Sequence, residues 1–444
     1  MLNWIWLGFI LVAVLVGGFT GRLPELTKGA FETAETAVMK IALPLMGVMA
    51  IWLGIMRLAE QSGLVHVLAR FLRPVLRRLF PEIPGEHPAL GAMVMNMAAN
   101  MLGLGNAATP LGLRAMAHLE RLNPHPGTAT NAMCTFLALN TASIQLVPTT
   151  AIALLAVAGS ANPTAIVPTA FLATVCAAVS GVVASKLLER LPGFRVLPAA
   201  RSGEEPAGAP PDAEDEPPAA PPLTPVGRGL MLLFLAAFGL LFLGMVVPGI
   251  LPHGWARAAS GAPQGGTGMR ILNGVSVLAV PFLLSFFPLY AALRQVRVYE
   301  QFVEGAREAW GVAQRVVPFL VAMLVAVRML REAGVIDLMT RVLGPVMAGL
   351  KFPADLLPMV LMRPLSGSAT QGIFVELLGR LGPDSLGSRM AGTIYGSTET
   401  TFYVLAVYFG SVSVRRTRHA VLAGLTADLV AVAASVAICR LAFA

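Results

Sequence analysis

The chain has little charge for its length. Of its 444 residues, 13% are Asp, Glu, Lys or Arg and 56% are hydrophobic, and its mean hydropathy is +0.72. A soluble domain carries roughly 25% charged residues. The apolar residues form runs of helical length rather than the short alternating segments of an outer-membrane barrel. The composition therefore predicts an all-α polytopic membrane protein.

Cysteine and histidine are also scarce. The three cysteines, Cys134, Cys176 and Cys439, lie in separate apolar runs, and none belongs to a CxxC pair. The six histidines show no HxH or HxxxH spacing. These absences argue against a disulfide, a metal site or a bound cofactor. No nucleophile–base pair or phosphate-binding loop stands at useful spacing either, so we do not expect an enzyme.

The net charge of +8 comes from basic residues at the ends of apolar runs, as in residues 70–78 and 415–418. This placement is typical of anchoring on the inner side of a membrane and of contact with lipid headgroups. We therefore expect membrane lipids, and no nucleic acid, as partners of these residues.

Clean apolar runs predict membrane spans near residues 1–18, 41–58, 166–188, 229–247, 272–293, 316–330 and 420–442. Residues 21–40 and 64–80 have amphipathic helical patterns. They predict helices in the membrane interface, with a break or kink at Pro74.

Residues 196–226 change character, because Pro, Ala, Gly and acidic residues replace the apolar runs. Such a segment cannot bury a core, and it predicts a disordered linker. Arg190, Arg195 and Arg201 before the linker and Arg228 after it predict that it lies on the cytoplasmic side of a bacterial inner membrane. The linker divides the chain into residues 1–195 and 227–444.

Two segments of the first half are apolar but carry amides and helix breakers. Residues 89–116 contain three asparagines with glycine and proline, and residues 131–159 contain polar side chains and an interruption at Pro148. Irregular backbone at membrane depth survives only where it is buried in protein or lines a watery cavity. Residues 89–116 therefore predict a re-entrant hairpin or a broken helix. The alternative is a surface loop between two short helices.

The second half has two similar segments. Residues 357–381 are interrupted by Arg363 and Pro364, and the apolar run of residues 390–409 contains five consecutive hydroxyl or carboxylate side chains, Ser397–Thr401. A carboxylate at bilayer depth is costly unless it faces protein or water, so Glu399 marks a candidate functional site.

The two halves follow the same plan. Residues 57–80 align without a gap on residues 328–351, which pairs Arg57 with Arg328 and Pro74 with Pro345. Broken segments follow at corresponding positions of each half, and such pairs point to the binding site of a transporter. We therefore predict one central cavity between two repeats. The sequence leaves open whether the repeats are parallel or inverted.

The same motifs carry a family resemblance that covers nearly the whole chain. Residues 96–116 and 140–150 resemble spore maturation protein A, and residues 363–372 and 396–410 resemble spore maturation protein B. The chain looks like a fusion of the two. The resemblance implies a nucleoside-recognition, or gate, domain, similar in broad pattern to concentrative nucleoside transporters and to the gate regions of ferrous-iron permeases. It also implies a multi-pass membrane protein with a role linked to spore maturation.

The charged candidates are Glu399 and Arg363. Glu399 could bind a proton, a cation or a basic group of a solute, or it could form a structural pair with Arg363. Arg363 could meet an anionic solute, neutralise Glu399 or snorkel outward. Asp428, alone in the last span, is a weaker candidate.

The neutral candidates offer amides and hydroxyls. They suit a polar, hydroxylated or heterocyclic solute, or alternatively they hold helices together. A helix that starts near Ser366 would also favour an anion. The predicted solute-binding residues are Asn96, Asn100, Asn106, Asn140, Thr141, Gln145, Arg363, Ser366, Ser368, Gln371, Ser397, Thr398, Glu399 and Thr400.

These observations predict a transporter-like protein that binds or moves a small polar solute, with or without a coupling ion. The alternative is a membrane scaffold or assembly factor for envelope or spore maturation, in which the polar clusters join helices. A ring of hydroxyls and one carboxylate could also coordinate a permeating cation. A homo-oligomer is compatible with either hypothesis.

Overall fold

The computed structural model describes residues 2–85, 87–103, 105–194, 221–247, 267–335 and 352–443. Within these ranges the chain is helical, and the only β pairing is an isolated bridge between Thr128 and Arg416. Six described helices are long and apolar enough to cross a membrane: Leu23–Gln61, Pro163–Leu188, Pro225–Val246, Thr267–Leu293, Val298–Glu332 and Ala420–Phe443.

The first half contains nine α-helices in the described ranges. They are α1 (Leu2–Phe19), α2 (Leu23–Thr36), α3 (Leu43–Gln61), α4 (Leu64–Leu79), α5 (Pro88–Met101), α6 (Gly105–Arg121), α7 (Asn131–Ala142), α8 (Thr149–Val157) and α9 (Ile166–Leu188). A π turn, Ala37–Ala42, joins α2 to α3, so the predicted interfacial helix runs directly into the span that follows it. Pro74 lies inside α4 and does not end it.

The second half contains eight α-helices in the described ranges. They are α10 (Pro225–Val246), α11 (Thr267–Leu293), α12 (Val298–Glu332), α13 (Leu357–Met362), α14 (Gly367–Leu381), α15 (Leu386–Ser397), α16 (Thr401–Ser411) and α17 (Ala420–Phe443). The predicted span of residues 316–330 is therefore part of a longer helix, α12. Linker residues 196–220 and repeat residues 336–351 lie outside the described ranges.

Helices at corresponding positions of the two halves pack side by side, and they run in opposite directions. In the pair formed by the α2–α3 helix and α12, the Arg57 Nε donates a hydrogen bond to the Gln301 Oε1 at 3.4 Å. Gly29 packs against Arg328 near the other end. Residue numbers rise along one helix in the direction in which they fall along the other, so this pair is antiparallel.

The pair formed by α9 and α17 is antiparallel as well. Thr169 of α9 and Cys439 of α17 both hydrogen-bond to Thr393, at 2.8 and 3.2 Å. Gly181, further along α9, lies against Ala427. Equivalent helices run antiparallel when a two-fold axis lies in the membrane plane. The two halves are therefore inverted repeats, a relation that the sequence alone left open.

Two helical hairpins enter this frame from opposite sides. In the first, α5 and α6 pack against each other, with the Asn96 Nδ2 donating to the Ala108 carbonyl at 2.7 Å. The outer end of this hairpin faces the side where α9 ends, here called the linker side. In the second, which is built from α13 and α14, Asp355 and Arg380 form an ion pair 2.6 Å long at the opposite side. The re-entrant hairpin predicted for residues 89–116 is present, whereas the surface-loop alternative is not.

Candidate functional site

The interruptions of four segments meet in the interior of the molecule. Three main-chain hydrogen bonds connect them: Leu146 N–H to Met101 C=O at 3.0 Å, Glu399 N–H to Thr141 C=O at 2.7 Å and Phe402 N–H to Pro364 C=O at 3.0 Å. Each bond uses backbone groups that an unbroken helix would have satisfied internally. We call this meeting point the junction. It consists of the two hairpin tips and the breaks between α7 and α8 and between α15 and α16.

The local sequence explains where the helices break. Ser143 adopts a left-handed conformation with φ of 41° at the end of α7, and α8 resumes at Thr149, directly after Pro148. In the second half, Thr398 is extended and α16 resumes at Thr401. Gly396 lies so close to Pro148 that a Cβ atom at Gly396 would be 2.5 Å from the proline ring. The interruption predicted at Pro148 is thus in contact with the break that the structure shows in the second half.

The first-half amides bond to one another and to neighbouring groups, although the buried Asn96 Oδ1 has no hydrogen-bond partner among the described residues. Asn100 Nδ2 donates to Asn140 Oδ1 at 3.0 Å, and the Tyr408 hydroxyl donates to the same oxygen at 3.3 Å. Asn140 Nδ2 donates to the Phe136 carbonyl, and Asn96 and Asn140 are 0% and 4% exposed. Buried amides with these partners join helices, which is the alternative that the sequence left open for them.

The other first-half candidates lie at the α7–α8 break. Thr141 is buried and accepts the Glu399 N–H through its carbonyl, and Gln145 Nε2 reaches only Ser143 Oγ, at 3.5 Å. The side chain of Asn106 lies outside the described part of the structure. Thr174 in α9 donates from its hydroxyl to the Ala142 carbonyl at 2.6 Å. This bond fixes the break to the long helix.

Arg363 lies at the tip of the second hairpin and is 5% exposed. It donates to the Tyr395 carbonyl at 2.9 Å, and its guanidinium lies 4.9 Å from the centre of the Tyr395 ring. Its Nε has no hydrogen-bond partner among the described residues, and no ion pair joins it to Glu399 there. Of the sequence alternatives, neither outward snorkelling nor a direct pair with Glu399 is observed.

The start of α14 completes this tip. Ser366 caps the helix by accepting the Ala369 N–H at 3.2 Å, and its hydroxyl lies 3.3 Å from that of Ser368. Gln371, one turn further on, is 6% exposed. Its amide makes no hydrogen bond within the described ranges, and it lines a cavity of about 180 Å³ together with Thr150 and Tyr395. Apolar side chains of α3 and α12 form the rest of the wall.

The α15–α16 break holds the remaining candidates. Ser397 donates to the Ile394 carbonyl at 3.1 Å, and Thr398 and Thr400 are buried, whereas Glu399 is only partly buried. The Thr401 hydroxyl donates to Asp428 Oδ2 at 2.5 Å, and Asp428 is 5% exposed. Asp428, the weaker candidate from the sequence, is the ninth residue of α17, as Thr174 is of α9 in the other repeat.

Two open pockets lie at the ends of the hairpins. The linker-side pocket, about 340 Å³, is lined by Glu82, Glu189 and Arg418 among others. The pocket on the opposite side, about 620 Å³, is lined by Arg328 and by the paired Arg331 and Glu376. Across the described ranges, no three His, Cys, Asp or Glu side chains cluster as a metal site would require.

Comparisons with known proteins address the family. The gate-domain model, described as nucleoside recognition, matches residues 42–158 and 313–415. The chain is 41% identical to spore maturation protein A of Bacillus subtilis (strain 168) over 183 residues, which are 41% of this chain and 93% of that protein. It is 40% identical to spore maturation protein B of the same organism over 175 residues, which are 39% of this chain and 98% of that protein.

The chain therefore spans nearly the whole of both relatives, as a fusion of the two would. The matched gate segments start at residues 42 and 313, which are separated by the same offset as Arg57 and Arg328. Among solved structures, the YdaH transporter of Alcanivorax borkumensis, whose topology is described as unusual, aligns with a TM-score of 0.45 and 15% identity. That alignment covers 98% of this chain and 97% of the other.

Proposed function

The chain belongs to the family of spore maturation proteins A and B and carries the nucleoside-recognition gate domain, and we propose on that premise that it transports a small polar solute. The observation that carries the proposal is the junction, in which four broken segments from two inverted repeats meet. Broken helices at corresponding positions of two repeats characterise the substrate sites of secondary transporters.

The solute-binding part of the junction is the second hairpin. The cavity beside Gln371 and Tyr395 has about the volume of six water molecules at about 30 Å³ each. Its apolar wall with few polar groups is the usual composition of a small-molecule site. Arg363, whose guanidinium lies 4.9 Å from the centre of the Tyr395 ring, places a positive charge beside this cavity. We propose that the solute contacts Gln371 and Tyr395 directly and that Arg363 sets the electrostatic preference of the site.

A non-transporting scaffold is the second candidate, and one specific observation favours it. Asn100, Asn140 and Tyr408 form a hydrogen-bond network among themselves, without a solute. We propose that this network is the structural part of a transporter. A scaffold would extend the same dry packing to Gln371.

We propose that the protein resides in a bacterial inner membrane with the linker in the cytoplasm, and that α4 contacts lipid. Phe71 and Val75 of α4 are 73% and 59% exposed, and Arg70 and Arg78 are exposed on the same helix. An amphipathic basic helix of this kind is typical of a membrane surface.

The test is a thermal-stabilisation screen of the purified full chain with nucleosides, amino acids and small dicarboxylates. We expect at least one solute to raise the melting temperature, and Gln371→Leu and Arg363→Gln to lose that shift while remaining folded. Gln314→Leu, an exposed glutamine of α12, is the matched control and retains it. A shift that persists in both cavity variants refutes the site, and stabilisation by none of these solutes favours the scaffold.

A further inference from the structure

Asp428 is a buried acid whose hydrogen bonding is incomplete. It is the ninth residue of α17, a helix of 24 residues, so it lies deep within a predicted span. Oδ2 accepts the Thr401 hydroxyl at 2.5 Å, whereas Oδ1 is buried and, with the Thr398 hydroxyl nearby, accepts no hydrogen bond of normal geometry from a described residue. A carboxylate left in this state at bilayer depth is costly, and such residues are by default functional.

The inverted repeat supplies an internal control for this position. Thr174 is the ninth residue of α9, as Asp428 is of α17. Its hydroxyl donates directly to the Ala142 and Ser143 carbonyls at the α7–α8 break, at 2.6 and 3.3 Å. A neutral threonine therefore suffices to hold a broken helix against a long one. By comparison with Thr174, we expect that the fold does not require a carboxylate at position 428.

The charges that face Asp428 do not neutralise it. These are Arg363 and Glu399, with the Thr398 hydroxyl alongside. Arg363 is engaged with Tyr395, and no ion pair joins it to Asp428 or Glu399 within the described ranges. One cation and two carboxylates leave one excess negative charge if both acids are ionised. Taking up one proton removes that charge without requiring further ligands.

We propose that Asp428 is the proton-binding site of this protein and that the proton it carries is the coupling ion. A proton from water binds Oδ1, the free oxygen, and Thr401 continues to hold Oδ2. Loss of that proton leaves an ionised carboxylate hydrogen-bonded to the first residue of α16, so the charge state acts on the α15–α16 break. This inference rests on the proposed function, because a coupling ion belongs to a transporter.

The test needs no solute. Infrared spectra of the full chain in detergent, titrated between roughly pH 4 and pH 9, the range over which buried carboxyls titrate, should show the carbonyl band of a protonated carboxyl that disappears as the pH rises. We expect Asp428→Asn to lose this band and Glu399→Gln and the loop variant Asp384→Asn to retain it. Asp428→Thr, which copies Thr174, is the second variant if Asn does not fold.

A band that survives in both Asp428 variants, or that is lost in Glu399→Gln instead, overturns the proposal. Sodium-dependent thermal stabilisation that vanishes in Asp428→Asn overturns it too, because the ion would then be sodium. These outcomes can be distinguished from those of the solute screen. An intact Asp428 band with no solute effect refutes transport alone, and a solute effect without the band refutes the proton site alone.

Discussion

The two halves of the junction share one backbone plan but differ in chemistry. In the first half the break is fixed by neutral groups, with Thr174 bonded to main-chain carbonyls and Asn140 bonded to neighbouring side chains. In the second half the equivalent positions hold Asp428, and Arg363 stands at the hairpin tip. The comparison indicates which groups the fold requires, because neutral side chains are sufficient to hold the broken helix in place in the first half.

The largest effect is expected from exchanging the two equivalent residues. Thr174→Asp would place a carboxylate against the carbonyl oxygens of Ala142 and Ser143, and an uncompensated buried charge costs about 3–5 kcal/mol. Asp428→Thr should cost less than about 1 kcal/mol, since a threonine is the natural solution in the other half. Denaturant unfolding in detergent micelles measures both variants. Equal destabilisation by the two variants would contradict the proposed difference between the two halves.

A smaller loss is expected when the amide network is opened. Asn140→Leu removes the acceptor of Asn100 and Tyr408, and because Asn100 is only partly buried we expect the cost of one buried donor, about 1–3 kcal/mol. We expect lower unfolding free energy but a solute-induced shift like that of the wild type. If Asn140→Leu is as stable as the wild type and loses the solute shift, the first half belongs to the binding site.

The smallest loss of stability is expected outside the membrane, at Asp384, which joins the two halves through hydrogen bonds from Ser160 and Ala161. The Ala161 N–H and the Ser160 hydroxyl hold the pKa of Asp384 below its usual value of 3.8. A carboxyl group whose pKa is lowered by folding stabilises the folded protein at pH values above its ordinary pKa. This stabilisation is lost as the pH falls through the pKa of the folded state. Because Asp384 is well exposed, we expect Asp384→Asn to lower the melting temperature by only about 2–4 °C at pH 7. The difference should shrink below about pH 4, and melting curves at both pH values check it.

Some of this arrangement follows directly from the sequence. Asn, Gly and Pro within the apolar run of residues 89–116 predicted a re-entrant hairpin or a broken helix, because irregular backbone at that depth needs protein around it. Pro148 located the break between α7 and α8 in the same way, whereas the stretch Ser397–Thr401 was predicted as a polar site and not as a break. Local breaker chemistry was sufficient for these features.

Other features depend on tertiary contacts that no local pattern encodes. The inverted relation of the repeats rests on which ends of α9 and α17 meet, and the sequence could not fix how many segments cross. Arg363 and Glu399 looked like natural partners by charge, yet Arg363 turns to the Tyr395 carbonyl and ring. Asp428 meets Thr401 from another helix, and only its alignment with Thr174 would have raised its rank.

The most direct test of the account is the water accessibility of the two halves of the junction. Single cysteines at Gln371 and Asn140, in a chain whose Cys134, Cys176 and Cys439 are replaced by serine, are treated with a membrane-impermeant thiol reagent in membranes opened to both sides. We expect Gln371→Cys to be labelled and Asn140→Cys to stay unlabelled until the protein is denatured. Equal labelling of both positions, or labelling of Asn140→Cys alone, would contradict the asymmetric junction.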